Sequence, residues 1–369
     1  MRTYRKQPMI KRATQAGFSL IELMIALLIG LVVVAAAGGV FISNKQVYNA
    51  SETVNRIQEG VRVGFELMSR DIREAGGNPC SAAAPVVNQM STGGNDWWAD
   101  WGDGIHGYDG SDVMPGTVAG MGVFGSGVGQ RVIGTDAIEI NSALGGGIRV
   151  TDHATPSAVL DVSSQGDIQV NDILVVCNMD YAFIFQATAL PSATKIQHNS
   201  GTSLNCAQEF QYESPCTATG ASGDFGYCFV PGATPSAQCD GFGRGPAYVA
   251  RVGSIRWYVG NNARGGRSLY RATISNRSST NTPDTLLDAF EVVEGVEDMQ
   301  VTYLEAGEDT YTPPSGVDDW GRVVAVRITL NMVGTQGALT GNEIQGTDGA
   351  ALRRTLTHVV QLRNREAVL

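Results

Sequence analysis

The sequence predicts an α+β fold in which one long N-terminal helix packs on an antiparallel β domain with long loops. Three observations carry this. No proline interrupts residues 18–75, so one continuous helix is allowed there. Residues 17–42, GFSLIELMIALLIGLVVVAAAGGVFI, are almost pure hydrocarbon, and residues 43–75 keep apolar side chains at helical spacing. Beyond residue 77 the apolar residues alternate in short runs separated by Gly, Ser, Thr and Pro, and the 46 glycines of the 369-residue chain fit a turn-rich β domain.

The order of elements begins with a basic tail. Arg2, Arg5, Lys6, Lys11 and Arg12 precede residue 17 with no acid among them, so the rest of the chain is five units more negative than the total of −10. That acidity argues against a nucleic-acid-binding surface. From Leu23 to Ile42 the chain offers 20 apolar or small residues, about 30 Å of helix, which matches a bilayer core. Positive charge before the run places the N-terminus in the cytoplasm and the chain beyond Ile42 outside. A secretory signal peptide, with Ala35, Ala36 and Ala37 at its cleavage site, and an ordinary transmembrane anchor both fit so far. Glu22 fits neither, because an acid in a membrane helix costs about 2.5–3.5 kcal/mol at mid-depth and needs a partner.

Gly17, Phe18, Ser19, Leu20, Ile21 and Glu22 resemble the class III signal of type IV pilins and pseudopilins. The resemblance implies a pilin-like fold and a leader peptide of residues 1–17. It also implies a prepilin peptidase cut between Gly17 and Phe18, N-methylation of Phe18, and a register-setting role for Glu22. In the last role the carboxylate neutralises the new amine of a neighbouring subunit, a pairing strengthened by low dielectric. Residues 18–42 are then the transmembrane and filament-core segment.

Residues 43–76 form the amphipathic half of the helix, with a stripe of Val47, Ala50, Val54, Ile57, Val61, Phe65, Met68, Ile72 and Ala75 at spacings of three and four. Gly60 and Gly64 suit close packing on a sheet better than a coiled-coil stalk. Gly76, Gly77 and Pro79 end the helix. Residues 77–369 read as one periplasmic β-rich domain. Its strand candidates are residues 135–140, 171–188, 246–261, 268–274, 299–305, 321–333 and 355–364, with long loops carrying a few short strands over 81–130 and 189–245. Val324, Val326, Ile328, Leu330 and Met332 alternate with Ala325, Arg327, Thr329 and Asn331 to give one buried face and one wetter face.

In order, SRDIREAGGNPC, GTDAIEI, the NDILVVC and AFIFQAT pair, LYRATI, VVEGVEDMQVTYLEA, WGRVVAVRITLNM and LTHVVQLRN resemble the blocks of the minor pilin family PilW. The sequence departs from that pattern at Cys177 and in the cysteine-rich loop 202–245. The resemblance implies a structural subunit that joins other minor pilins in priming pilus assembly at or near the tip. Its implied partners are the prepilin peptidase, the other minor pilins, the major pilin, a tip adhesin and the inner membrane. J-type pseudopilins of type II secretion share the plan in a shorter chain and remain the alternative. A membrane-anchored exported enzyme or lectin is the reading from another class.

Cys80, Cys177, Cys206, Cys216, Cys228 and Cys239 all lie beyond the membrane segment, and an even count on an exported domain predicts disulfides. Of the fifteen pairings, the favoured one joins Cys80 to Cys177, fastening the helix end to the sheet, with the other four paired among themselves. Their gaps of about ten residues lack the close pairs of a zinc site, so no metal or cofactor is expected. Catalytic motifs are sparse. Gly120, Gly122 and Gly125 match a dinucleotide fingerprint without its strand–turn–helix context. His106, His153, His198 and His358 are scattered and read as ordinary core or surface residues. Between residues 95 and 112, Asp96, Asp100, Asp103, Asp109 and Asp112 lie among Trp97, Trp98 and Trp101. Calcium binding, a partner contact on the tryptophans and a plain solvated loop all remain open there.

Overall fold

The structure is a computed structural model. It describes residues 17–81, 84–90, 101, 103–115, 122–154, 158–201, 204–211, 226–229, 239–242, 245–274, 287–334 and 351–365. Helix α1 runs without a break over Leu20–Arg73, about 81 Å at 1.5 Å per residue. It meets the length and apolarity that crossing a membrane requires. The strands are β1 (Val86–Asn88), β2 (Ile105–Tyr108), β3 (Ala137–Ala154), β4 (Val159–Val162), β5 (Ile173–Cys177), β6 (Ala182–Gln186), β7 (Ala189–Ser192) and β8 (Lys195–Gln197). Next in chain order are β9 (Gly226–Cys228), β10 (Cys239–Phe242), β11 (Tyr248–Asn261), β12 (Arg267–Ile274), β13 (Leu287–Glu294), β14 (Val296–Glu305), β15 (Val323–Val333) and β16 (Arg353–Gln361).

Among the described residues these strands make one eleven-stranded sheet, a three-stranded sheet β14-β15-β16 and a small β9–β10 pair. Pairing is antiparallel except for β1 with β6 and β9 with β10. β11 is the axis of the large sheet. Its first residues, Tyr248 to Arg251, pair with β5, and Ile255 to Asn261 pair with β12. β3 lies along it from Ala137 to Arg149 and then leaves to pair with β4.

The core divides accordingly. Ile57, Val61, Met68, Ile72 and Ala75 of the helix side share one apolar cluster with Ile140, Trp257 and Leu269 of the large sheet and Val326, Ile328 and Leu330 of the small one. We call this the helix-docked half. β16 runs beside the helix, with His358 stacked on Phe65 at 5.1 Å and the Arg363 N–H donating to the Arg73 carbonyl at 3.3 Å. Two further apolar clusters, on β3–β6, β8, β9 and the start of β11, form a lobe beyond the helix C-terminus, and a smaller one joins Tyr108, Ala137, Tyr258 and Tyr270 across β2, β3, β11 and β12. We call the lobe beyond the helix the distal lobe. Gly76, with φ +68, turns the chain into it while its N–H donates to the Asn141 carbonyl at 2.9 Å.

Several expectations need correction. Val47, placed on the buried stripe, is 50 % exposed, and burial of the helix begins only at Thr53, where the β domain reaches it. β3, expected over residues 135–140, is far longer, at Ala137–Ala154. It runs through Gly145, Gly146 and Gly147, which have no partner on β11 and bulge between the Leu144–Arg251 and Ile148–Val249 pairs. The sequence pattern does not anticipate β4 and β13. Gly60 and Gly64, read as close-packing positions, do meet the sheet: an added Cβ would come within 3.1 and 3.0 Å of Val293.

Candidate functional site: the exposed helix and its seat

The helix is two surfaces in one rod. Every residue from Gly17 to Tyr48 is exposed in the isolated chain, including Phe18 at 89 %. Such a length of bare hydrocarbon is stable only in a membrane or against other chains. Its one carboxylate is organised. The Ser19 Oγ accepts from the Glu22 N–H at 3.3 Å, and the Glu22 Oε2 accepts from the Ser19 N–H at 3.3 Å. This reciprocal capping box satisfies two of the donors a helix start leaves open. The Glu22 carboxylate is therefore held one residue from the Gly17–Phe18 junction, against the backbone that would become the new N-terminus. Residues 1–16 of the expected leader lie outside the described residues.

The second surface is the seat. Asp71 belongs to the buried face of the helix. It accepts from the Trp257 Nε1–H at 2.9 Å and from Arg271 at 2.8 and 3.2 Å, tying the helix to β11 and β12. A second buried pair lies within the large sheet, where Arg256 donates to the Glu139 Oε2 at 2.8 and 3.0 Å. The Tyr108 hydroxyl donates to the same oxygen at 3.0 Å. Burial pushes the Glu139 carboxyl up and the Arg256 guanidinium down, and each partner opposes the other's shift.

Sequence reasoning misses these anchors. Asp71 is detectable in principle, because Gly64, Met68, Asp71 and Ala75 are spaced by four, three and four and so share one helix face. Glu139 and Arg256 carry no local signal, since their partnership exists only through the β3–β11 register.

The acidic and tryptophan-rich stretch resolves in part. Trp101 is a core residue at 4 % exposure and not an exposed contact, because it packs with Met90 and Ile184. Trp97, Trp98, Asp96 and Asp100 lie outside the described residues. The adjoining turn is closed by a cation of the chain itself. Fully buried Arg131 donates to the carbonyls of Asp109, Asp112 and Thr135 at 2.9, 2.7 and 2.6 Å. Burial lowers its pKa to about 10, which leaves it charged at neutral pH. Among the described residues no group of three or more His, Cys, Asp or Glu is arranged to hold a metal. Of the glycine fingerprint, Gly122 and Gly125 lie in a loop that hydrogen-bonds to Gly129 and Arg131, with no helix behind it; Gly120 lies outside the described residues.

Cys80 and Cys177 are joined by a disulfide that spans 97 residues and fastens the helix exit to β5. Cys206 and Cys228 are also disulfide-bonded. Cys216 and the side chain of Cys239 lie outside the described residues.

Comparison with known proteins gives two matches. Residues 256–364 match the family described as type IV pilus-assembly protein W, and residues 12–38 match the prokaryotic N-terminal methylation motif. No curated protein and no solved structure matches the chain.

Proposed function

From the premise that the chain is a type IV pilus minor pilin of the PilW family, we propose that it is a priming subunit at or near the pilus tip. It is a structural, membrane-anchored pilus component with no known enzyme family behind it. In this reading the prepilin peptidase cuts between Gly17 and Phe18, Phe18 is methylated, and the β domain stands in the periplasm with the leader in the cytoplasm. The other minor pilins and the major pilin then bind the exposed helix, and a tip adhesin is a further candidate partner.

One observation carries the proposal most directly: Glu22 sits at the start of a bare apolar rod with only its own helix start for company. Cutting before Phe18 creates an amine one residue from the N–H that Glu22 already holds. The same carboxylate then serves its own terminus in the free subunit and the neighbour's amine in the filament. Leaving that buried amine without a counter-charge costs several kcal/mol, on the order of 3–5 for a broken buried pair.

The test is Glu22→Ala beside Gly17→Glu. Glu22→Ala should be cut normally, with mature protein starting at methylated Phe18, yet remain in the inner membrane while surface pili fall. Gly17→Glu should leave uncut precursor. Wild-type piliation by Glu22→Ala would refute the register role. A deletion strain with normal pili but defective type II secretion would transfer the chain to the J-type pseudopilins.

A further inference from the structure

The distal lobe holds two histidines that no part of the pilin reading uses. His153, near the end of β3, is 2 % exposed, and His198, directly after β8, is 1 % exposed. Their ring centroids are 5.8 Å apart. Phe210 stacks on His198 at 4.5 Å and lies 5.5 Å from His153. Phe229 lies 5.9 Å from His153, and Phe185 lies 5.5 Å from His198. The Nδ1 of His153 and the Nε2 of His198 are buried with no hydrogen-bond partner among the described residues. A neutral imidazole can leave one nitrogen dry at modest cost. A protonated one needs acceptors for both N–H groups, and this wall offers aromatic carbon.

Among the described residues the surrounding elements pair no opposite charge with either ring. Leu160 of β4 stands opposite His153, and Ile196 of β8 and Phe183 of β6 complete the cluster. The charged residues on these elements are Glu139, paired with Arg256 at the far end of β3, Arg149, Asp152, Asp161 opposite it, and Lys195, whose Nζ lies 2.6 Å from Asp161. Glu209 adjoins Phe210, and the phenol rings of Tyr181 and Tyr227 pack against Phe183. None of these groups sets the histidines' titration. Burial alone pushes His153 down to about 4, and burial, then the neighbouring imidazole, pushes His198 well below its ordinary value.

We propose that His153 and His198 form an acid-operated latch, whose protonation opens the distal lobe around its aromatic cluster while the helix-docked half stays folded. The sign is set by linkage. Both groups are depressed in the folded lobe, so the opened lobe binds more protons. The stability they permit is complete above about pH 6.5 and is lost progressively as pH falls below it. For His153 alone, acidification from pH 7 to pH 5 multiplies the opening equilibrium about twentyfold, and His198 acts in the same direction. Opening uncovers Phe183, Phe185, Phe210 and Phe229 together. The oxidised Cys206 and Cys228 flank Phe210 and Phe229, so the disulfides limit how far the lobe can open.

Hydrogen exchange on the full chain in detergent micelles tests this, with protection corrected for the intrinsic pH dependence of exchange. Between pH 7 and pH 5, residues 159–162, 183–186 and 195–198 should lose protection by at least twentyfold, while 323–333 keep theirs. The double variant His153→Phe, His198→Phe should abolish the loss. Should that variant not fold, His153→Gln and His198→Gln singly should each remove about half of the loss on a logarithmic scale. Independently, the imidazole Cε1–H resonances of the folded protein should titrate below pH 5. Titration near 6.5, pH-independent protection, or a loss shared equally by residues 323–333 would overturn the proposal.

Discussion

The helix-docked half and the distal lobe share one strand, β11, yet they are held together by different means. Where β11 pairs with β12, the seat is fixed by buried ions: Asp71 with Arg271 and Trp257, and Glu139 with Arg256. Where it pairs with β5, the lobe relies on aromatic packing and on disulfides, and its ion pairs, Lys195 with Asp161 and Arg251 with Asp167, are partly exposed. The family match begins at residue 256, one position after β11 takes β12 as its partner. The shared module is therefore the one that seats the helix. The lobe beyond it lies outside that match.

The largest way to break the comparison is at Asp71. Asp71→Ala strands the fully buried Trp257 N–H and removes the carboxylate from Arg271, whose side chain is 27 % exposed. Breaking a buried pair costs about 3–5 kcal/mol, and the partial exposure of Arg271 lowers this to about 2–4. Urea unfolding should report that loss, and exchange should locate it in helix residues 53–72 while β5 and β6 keep their protection. A uniform loss over both halves would mean that they are not separable units.

The complementary break is Cys80→Ser. The bridge closes a long loop, and removing such a bond typically costs about 2–5 kcal/mol. Here the loss should fall on β5 and β6, leaving the helix and β14–β16 unaffected. The readout is the same exchange map, and the two variants together should give opposite patterns.

Legibility in the sequence divides along the same line. The helix, its glycine contacts and the strands of the small sheet are legible, because periods of 3.6 and 2 are local properties of the chain. Asp71 is legible by its place on that period, although a polar residue on an apolar face invites being overlooked. The distal lobe is legible only at β5 and β6, within residues 171–188, and at the Cys80–Cys177 bridge. β4, β7 and β8 are three or four residues long, too short for a pattern to exceed chance. His153 and His198 meet only because β3 and β8 both flank β4. Trp101 looks exposed among aspartates and is buried by contacts remote in sequence.

Acid should separate the halves in sign. Asp136 adjoins β3, is 5 % exposed and accepts from the Val301 N–H at 2.9 Å. Burial raises it to about 6. A raised carboxyl contributes stability that is present below its unfolded value near 4 and is lost as pH rises through about 6. The helix-docked half should thus firm up over the range in which the histidines loosen the lobe. Asp136→Asn keeps an acceptor for Val301 and removes the charge. It should add about 1–2 kcal/mol at pH 7.5 and little at pH 4, as seen in urea midpoints at the two pH values. An equal gain at both would assign the effect to packing.

The finest probe is the pair of glycines in the seat. On an exposed helix, Gly→Ala stabilises by about 1 kcal/mol through backbone entropy. At Gly64 the new Cβ would stand 3.0 Å from Val293 Cγ2 and 3.5 Å from Leu269 Cδ2. Val293 is 4 % exposed and Leu269 fully buried, so neither side chain has room to yield. Overpacking of this kind costs about 1–3 kcal/mol, so Gly64→Ala should be destabilising by about 0.5–1.5 kcal/mol net. Gly60 meets Val293 alone, at 3.1 Å, and is only partly buried. Its alanine variant should lie within about 0.5 kcal/mol of wild type. Because Val293 is common to both, Val293→Ala should convert Gly64→Ala from a loss to a gain, an interaction that a double-mutant cycle reads directly. If Gly64→Ala stabilises in the wild-type background by the full exposed-helix amount, the helix is not seated on β13 and the division between a docked half and a distal lobe fails at its root.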